Sequence, residues 1–130
     1  MFYLDASAAA KLVLSEAGSK ALRRWMETTD AIIVSSDLLR TELLRAIRRH
    51  VPEEISQGHA VLDSITLIAL SRNVYERAAT LGSPHLRSLD AIHLAAAIEF
   101  GGDELEAIIT YDLRMIEAAK AMDIAVVSPI

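Results

Sequence analysis

Four acidic side chains in this sequence have the residue types and positions to do chemistry together: Asp5, Glu42, Asp90 and Asp112. Carboxylates that meet at one point raise one another's pKa, and divalent cations offset this repulsion between like charges. A set of oxygen ligands suits Mg²⁺ or Mn²⁺ better than zinc, which prefers His and Cys. Carboxylate-bound Mg²⁺ commonly also binds a substrate phosphate, so these acids would support hydrolysis of a phosphodiester by metal-activated water.

Three of these acids also have a structural interpretation. Asp5 and Asp112 each follow an apolar run and precede a helical pattern, where an acid is expected to cap the first turn of the helix. Glu42 lies at the edge of the apolar stripe of its helix, where Arg45 or Arg49 would be an ordinary ion-pair partner. Taken singly, these three residues do not distinguish a structural role from a functional one.

Among the four acids, Asp90 gives the strongest evidence in the sequence for a functional role. On the helix predicted over residues 88–100, Asp90 falls near the centre of the apolar side, and Glu99 lies on the opposite side. The apolar side is formed by Leu94, Ala97 and Ile98. Interaction with the helix dipole explains an acid in the first turn, but it does not explain the choice of face. A functional role is therefore predicted for Asp90.

Short apolar runs of β type alternate with longer helical patterns, and these elements must position the acids. Strands separated by helices imply right-handed crossovers, and thus a three-layer α/β/α sandwich around a parallel sheet. Ligands of such sheets bind beyond the carboxyl ends of the strands, where Asp5 follows the first strand and Asp112 the fourth. Strands are predicted at 2–4, 31–34, 65–69, 107–109 and 125–127, and helices at 7–15, 19–28, 37–50, 53–63, 73–81, 88–100 and 112–122.

Composition narrows the class of protein. The 130 residues fit one domain, residues 1–130, and a composition that is 52% hydrophobic can bury a real core. The absence of cysteine excludes disulfides and thiolate metal sites, and it is consistent with a reducing cytoplasm, where we expect the protein to act. No apolar run approaches the roughly 18 residues of a membrane span, so no membrane association is expected.

The charge of the chain argues against binding nucleic acid through overall basicity, because the formal net charge is −5. The basic residues are nevertheless mostly arginine, whose planar fork binds two phosphate oxygens at once. Arg45, Arg49 and Arg87 are the candidate contacts to a substrate or to a partner. His93 flanks Asp90 at helical spacing, and it would either orient that acid by a hydrogen bond or serve in packing.

Four segments carry a family resemblance: FYLDASA at 2–8, RTELLRA at 40–46, LDAIHLA at 89–95 and TYD at 110–112. In order and spacing they resemble the PIN-domain nucleases, and within these the VapC-type toxins of type II toxin–antitoxin systems. The resemblance covers essentially the whole chain. It implies a PIN-like α/β/α fold and a metal-dependent endoribonuclease that uses Mg²⁺ or Mn²⁺.

The same resemblance implies roles for particular residues and partners. It makes Asp5, Glu42, Asp90 and Asp112 the catalytic, metal-binding acids, and Ser7 and Thr110 would be supporting hydroxyls. It also implies an RNA substrate, a homodimer and a small cognate antitoxin protein whose tail can push a basic residue into the acidic pocket.

Other functions on a parallel α/β fold are less well matched. A phosphotransfer receiver would need a second acid beside Asp5, a phosphorylatable Asp after the third strand and a late Lys. An aspartyl phosphatase would need an Asp at the position of Ser7. The remaining alternative is a non-catalytic PIN-fold module that binds RNA or protein, and the intact set of four acids argues against it.

Overall fold

Five short strands form one parallel sheet in the computed structural model, which describes residues 1–130. The strands are β1 (Phe2–Leu4), β2 (Ile33–Ser36), β3 (Thr66–Ile68), β4 (Ala107–Ile109) and β5 (Val126–Val127). The helices are α1 (Ala6–Lys11), α2 (Ser19–Thr28), α3 (Leu38–His50), α4 (Ile55–Asp63), α5 (Arg72–Thr80), α6 (Ser88–Gly101) and α7 (Leu113–Ala121).

The strand order β3-β2-β1-β4-β5 puts β1 next to β4 at the centre of the sheet. The chain runs outward from β1 to β3 on one side and then crosses to β4 on the other. The register pairs Leu4 with Ile109, and the N–H of Asp5 donates to the carbonyl of Ile109 across 3.1 Å. The residues that follow β1 and β4 therefore lie side by side, at the point where open sheets form a ligand crevice.

Helices cover both faces of the sheet, because alternate strand residues point to opposite faces. Leu4 and Ile109 join the apolar core formed with α1, α2, α3 and α4. Tyr3 and Ile108, one residue earlier in each strand, join the core formed with α5, α6 and α7. The predicted three-layer α/β/α sandwich with a central parallel sheet is confirmed. None of the helices combines the length and the apolar character that a membrane crossing requires.

Most element boundaries agree with the prediction within one residue, and three differ. The first helix ends at Lys11 rather than at residue 15, because a turn follows in which the Ser19 hydroxyl donates to the Leu14 carbonyl. The second strand covers Ile33–Ser36 rather than 31–34, since its two serines pair with β3 although they are polar. The helix predicted from residue 53 begins as a 3₁₀ turn, and α4 itself starts at Ile55.

Candidate metal centre

Asp5 lies at the carboxyl end of β1 and is only 3% exposed. Its Oδ1 accepts hydrogen bonds from the Ala8 N–H at 3.0 Å and from the Ser7 hydroxyl at 2.8 Å. Its Oδ2 accepts one from the Thr110 hydroxyl at 2.6 Å. Burial raises the pKa of Asp5, and the hydrogen bonds from Thr110, Ala8 and Ser7 act in the opposite direction. Asp5 thus does cap α1, and the same carboxylate reaches the residues that follow β4.

Thr110 connects Asp5 to Asp112, which follows Thr110 by two residues. It is fully buried, and its hydroxyl also accepts a hydrogen bond from the Asp112 N–H at 3.1 Å. The Ser7 hydroxyl lies 3.3 Å from the Thr110 hydroxyl. The two hydroxyls expected to support the site therefore both contact Asp5, and they fix its orientation relative to the β4–α7 connection.

Glu42 projects from α3 and is bound by a residue of α6. Its Oε1 lies 2.5 Å from His93 Nε2, and neither Arg45 nor Arg49 pairs with it. The other ring nitrogen of His93, Nδ1, lies 2.7 Å from the Tyr3 hydroxyl. Of the two roles expected for His93, the hydrogen bond to Asp90 is not formed, because both nitrogens of the ring contact Glu42 and Tyr3.

Asp90 lies in the first turn of α6 and is partly buried. Burial is the largest cause that raises the pKa of Asp90, and the negative charge of Asp112 is the next. Glu42 adds to the increase, whereas His93 and Arg87 lower the pKa. The charges of three of the candidate acids therefore act on one another around Asp90.

The α6 helix does not have the single apolar side that the sequence suggested. Residues of this helix are buried in every direction, because it packs between the sheet and α5. The buried positions are Ala91, His93, Leu94, Ala95, Ala96, Ala97 and Gly101. The helix face of Asp90 is therefore weak evidence for function. Its position at the carboxyl edge of the sheet, next to Asp112, is the stronger evidence.

Asp112 caps α7, and its Oδ1 accepts a hydrogen bond from the Arg114 N–H at 2.9 Å. The N-cap that the sequence suggested is thus present, as it is for Asp5. Asp112 is partly buried and belongs to the same edge of the sheet as Asp5. Capping and membership of the acidic site are compatible for both residues, because each cap uses one carboxylate oxygen for the first turn of its helix.

The donor chemistry of this edge fits a hard divalent cation, because the ligands available are carboxylate oxygens. In the present side-chain arrangement, however, no three Asp, Glu or His residues stand close enough to hold one ion. Asp5 is engaged by hydroxyls, and Glu42 by His93. Binding an ion here therefore requires at least some of the acid side chains to move closer together.

A cleft of about 570 Å³ adjoins Asp90. Arg87 and Arg114 line it together with His85 and Glu117. Arg114 was not among the candidate residues predicted from the sequence, although it lies two residues after Asp112, in the first turn of α7. Of the other candidate arginines, Arg45 lines a separate groove between α3 and α4, and Arg49 is exposed near the end of α3.

Comparison with known proteins identifies the class to which this fold and this acidic edge belong. The protein-family model described as the PIN domain matches residues 2–121. Two ribonucleases of Mycobacterium tuberculosis, VapC35 and VapC46, are each 41% identical to the chain over at least 98% of its length and at least 96% of their own. A third, VapC47, is 37% identical over 99% of the chain and 97% of its own length. The chain therefore belongs to the PIN-domain family, among the VapC ribonucleases, as the sequence predicted.

Solved structures support the fold independently of sequence. VapC20 of Mycobacterium tuberculosis, described as a toxin that cleaves the sarcin–ricin loop, superposes with a TM-score of 0.78 at 15% identity, covering 99% of this chain and all of that one. A chain from a toxin–antitoxin complex of Klebsiella pneumoniae gives a TM-score of 0.74 at 19% identity, covering 100% of this chain and 98% of that one. At these identities the likeness concerns the fold.

Proposed function

We propose that this chain is an endoribonuclease that depends on a divalent metal and acts as the toxin of a toxin–antitoxin pair. The observation that carries the proposal is the edge of the sheet where Asp5, Asp90 and Asp112 lie with Glu42, in a chain 41% identical to VapC ribonucleases over nearly its whole length. Ribonucleases with a PIN domain generally depend on a divalent metal. Mg²⁺ or Mn²⁺ is the finer proposal, because every acid offers only oxygen ligands.

In this proposal, Asp5, Glu42, Asp90 and Asp112 hold the cation. A cation held there would supply Lewis acidity for activating the attacking water and for stabilising the departing 3′-oxygen. The protein fixes the acids: Thr110 and Ser7 orient Asp5 through their hydroxyls, and His93 holds Glu42. The metal-dependent step therefore relies on carboxylates whose directions are set by neighbouring hydrogen bonds.

Removing the metal tests the proposed activity. We expect the purified protein to cleave RNA with Mg²⁺ or Mn²⁺, to lose all cleavage in EDTA and to recover it when excess Mn²⁺ is restored. Isothermal titration should show Mn²⁺ binding that the Asp90→Asn variant weakens strongly. Cleavage that persists in EDTA would contradict the metal mechanism. RNA binding without cleavage under every metal condition would instead favour the non-catalytic module.

Among the candidate arginines, Arg87 is the best placed to contact RNA. It is exposed, it lines the cleft beside Asp90, and it forms no salt bridge within the chain. We propose that Arg87 binds a phosphate next to the cleavage position. Arg45 and Arg49 lie outside that cleft, and we propose them as contacts to a partner protein.

An Arg87→Ala variant should bind RNA more weakly, and the weakening should depend on salt. Each phosphate contact to single-stranded RNA adds about −0.7 to the slope of the log association constant against log salt concentration, so losing one makes the slope less steep by about that amount. Fluorescence anisotropy with a short RNA in EDTA, repeated at several salt concentrations, measures this slope. Arg24→Ala is the matched control, because Arg24 is exposed on α2 beside Trp25, which packs on Phe2 at the other end of β1. An unchanged slope in Arg87→Ala would remove Arg87 from the proposed RNA site.

The partners follow from the same proposal. A pocket of clustered acids attracts a basic side chain, so a small antitoxin that places one there would neutralise the toxin. Co-purification of the chain with the product of the neighbouring reading frame, and loss of cleavage in that complex, tests this partner.

A homodimer is also proposed, and sedimentation velocity of the purified chain tests it.

A further inference from the structure

Tyr3 is the only polar residue of β1, and it is fully buried. Its ring packs edge-on against His93, with the ring centroids 5.7 Å apart, and its hydroxyl lies 2.7 Å from His93 Nδ1. The Tyr3 hydroxyl and the His93 ring are therefore in direct hydrogen-bond contact inside the core.

The direction of this contact depends on the tautomer of His93, and the contact of Nε2 with a carboxylate favours the form that carries a proton on Nε2. An ionised Glu42 carboxylate only accepts hydrogen bonds, so His93 Nε2 must carry the proton that it donates. In a neutral imidazole, Nδ1 is then the acceptor, and the Tyr3 hydroxyl is the donor. In the neutral tautomer with a proton on Nε2, donors and acceptors match along a single chain from Tyr3 through His93 to Glu42. The hydroxyl of Ser36, buried beside Tyr3, makes no hydrogen bond of good geometry.

This chain of hydrogen bonds joins the three layers of the fold. Glu42 stands on α3, which packs on one face of the sheet, and His93 stands on α6, which packs on the other. Tyr3 belongs to the central strand between them. A Glu side chain left free would have to be ordered when it binds a ligand, at a cost in rotamer entropy. With Oε1 bound to His93, the second carboxylate oxygen of Glu42 is held in one direction.

We infer that Tyr3 is a positioning residue of the metal centre: it fixes the tautomer and orientation of His93, and His93 in turn aims Glu42 at the cation. The inference rests on the proposed metal-dependent function. A purely structural role would instead be to satisfy buried polar groups, which would affect stability and leave metal affinity unchanged.

The Tyr3→Phe variant removes a single oxygen atom and keeps the packed ring. We expect its Mn²⁺ affinity, measured by isothermal titration, to fall about tenfold, the lower end of the 10–100-fold typical of residues that orient metal ligands. The kcat for RNA cleavage should fall similarly, with KM for RNA unchanged. Tyr111→Phe is the matched control, because that hydroxyl is also hydrogen-bonded, to the Pro129 carbonyl at 2.6 Å. It should change stability without changing Mn²⁺ affinity.

Two further measurements separate positioning from packing. Nitrogen NMR of the metal-free protein should show His93 protonated at Nε2 and unprotonated at Nδ1, and Tyr3→Phe should yield a mixture of tautomers. In a His93→Leu background, Tyr3→Phe should have no further effect on Mn²⁺ affinity, since the connecting residue is gone. The opposite tautomer in the unmutated protein, or the full tenfold loss in the His93→Leu background, overturns the inference.

Failure of this inference is distinguishable from failure of the proposed function. If the unmutated chain neither binds Mn²⁺ nor cleaves RNA, the proposed function itself is wrong. If the unmutated chain does both and Tyr3→Phe matches it in Mn²⁺ affinity, only the role of Tyr3 is wrong.

Discussion

Replacing Asp90 with Asn should reduce RNA cleavage by more than about 100-fold and, at neutral pH, stabilise the metal-free protein. The loss of activity should exceed the 10–100-fold typical of residues that only orient ligands, because Asp90 is proposed to bind the cation itself. The gain in stability follows from electrostatics: in the folded chain, Asp90 is partly buried and faces the negative charges of Asp112 and Glu42. An amide of nearly the same shape removes that repulsion.

The stability gain should depend on pH in a defined direction. The pKa of Asp90 is raised in the folded chain from its ordinary value of 3.8, so the folded state holds the proton to higher pH than the unfolded state. The contribution of Asp90 to the stability of the unmutated, metal-free protein therefore falls as pH rises from 3.8 through the higher pKa of the folded chain, and it stays lower above that pH. Because the amide does not titrate, Asp90→Asn should match the unmutated protein well below pH 3.8 and exceed it at pH 7. Urea unfolding in EDTA at several pH values measures the difference.

Asp103 provides the control for this experiment. It is an exposed acid in the 3₁₀ turn Gly102–Glu104, at the other end of α6 from Asp90. Asp103→Asn removes the same charge and should leave both cleavage and the pH dependence of stability unchanged. An Asp90→Asn variant that cleaves RNA at the wild-type rate would contradict the assignment of Asp90 to the metal site.

Two substitutions of Asp5 should separate its two roles. Asn is as good an N-cap as Asp, so Asp5→Asn should keep the hydrogen bond from the Ala8 N–H. Its NH₂ group would replace Oδ2 and could donate to the Thr110 hydroxyl, so we expect it to lose less stability than Asp5→Ala. Asp5→Ala removes the acceptor of both the Ala8 N–H and the buried Thr110 hydroxyl. We expect it to lower the free energy of unfolding by about 1–2 kcal/mol. Both variants should lose cleavage by more than about 100-fold, since each removes a carboxylate proposed to hold the cation.

The comparison between these two variants is decisive because the structure gives Asp5 a complete structural explanation. If Asp5 served only to cap α1, Asp5→Asn would retain full cleavage while Asp5→Ala lost it in proportion to its unfolding. RNA cleavage assays combined with thermal unfolding of both variants distinguish these outcomes. Thermal unfolding in Mn²⁺ adds a second readout, because the unmutated protein should be stabilised by the ion and Asp5→Asn should not.

The sequence by itself determined the architecture, and it predicted the four acids of the site. Hydrophobic periodicity is a local property, so it located all five strands, and helices separated by strands required a parallel sheet. Asp5 and Asp112 could be placed at the same edge for that reason alone. Helix periodicity predicted a functional role for Asp90 and left the role of Glu42 open. The family resemblance implied a catalytic role for both, and the fold that it implied is the fold observed.

Only the tertiary structure decided which side chains hold the acids. Glu42 and His93 are 51 positions apart, and Tyr3 and His93 are 90 apart, so no local pattern could pair them. The sequence suggested Arg45 or Arg49 as partners of Glu42, because helical periodicity relates only residues one or two turns apart on the same helix. The apolar face assigned to Asp90 was misleading for the same reason, since a helix packed between a sheet and another helix is buried all round. Partner choice depends on the strand order, which brings β1, α3 and α6 together, and that order is a property of the folded chain.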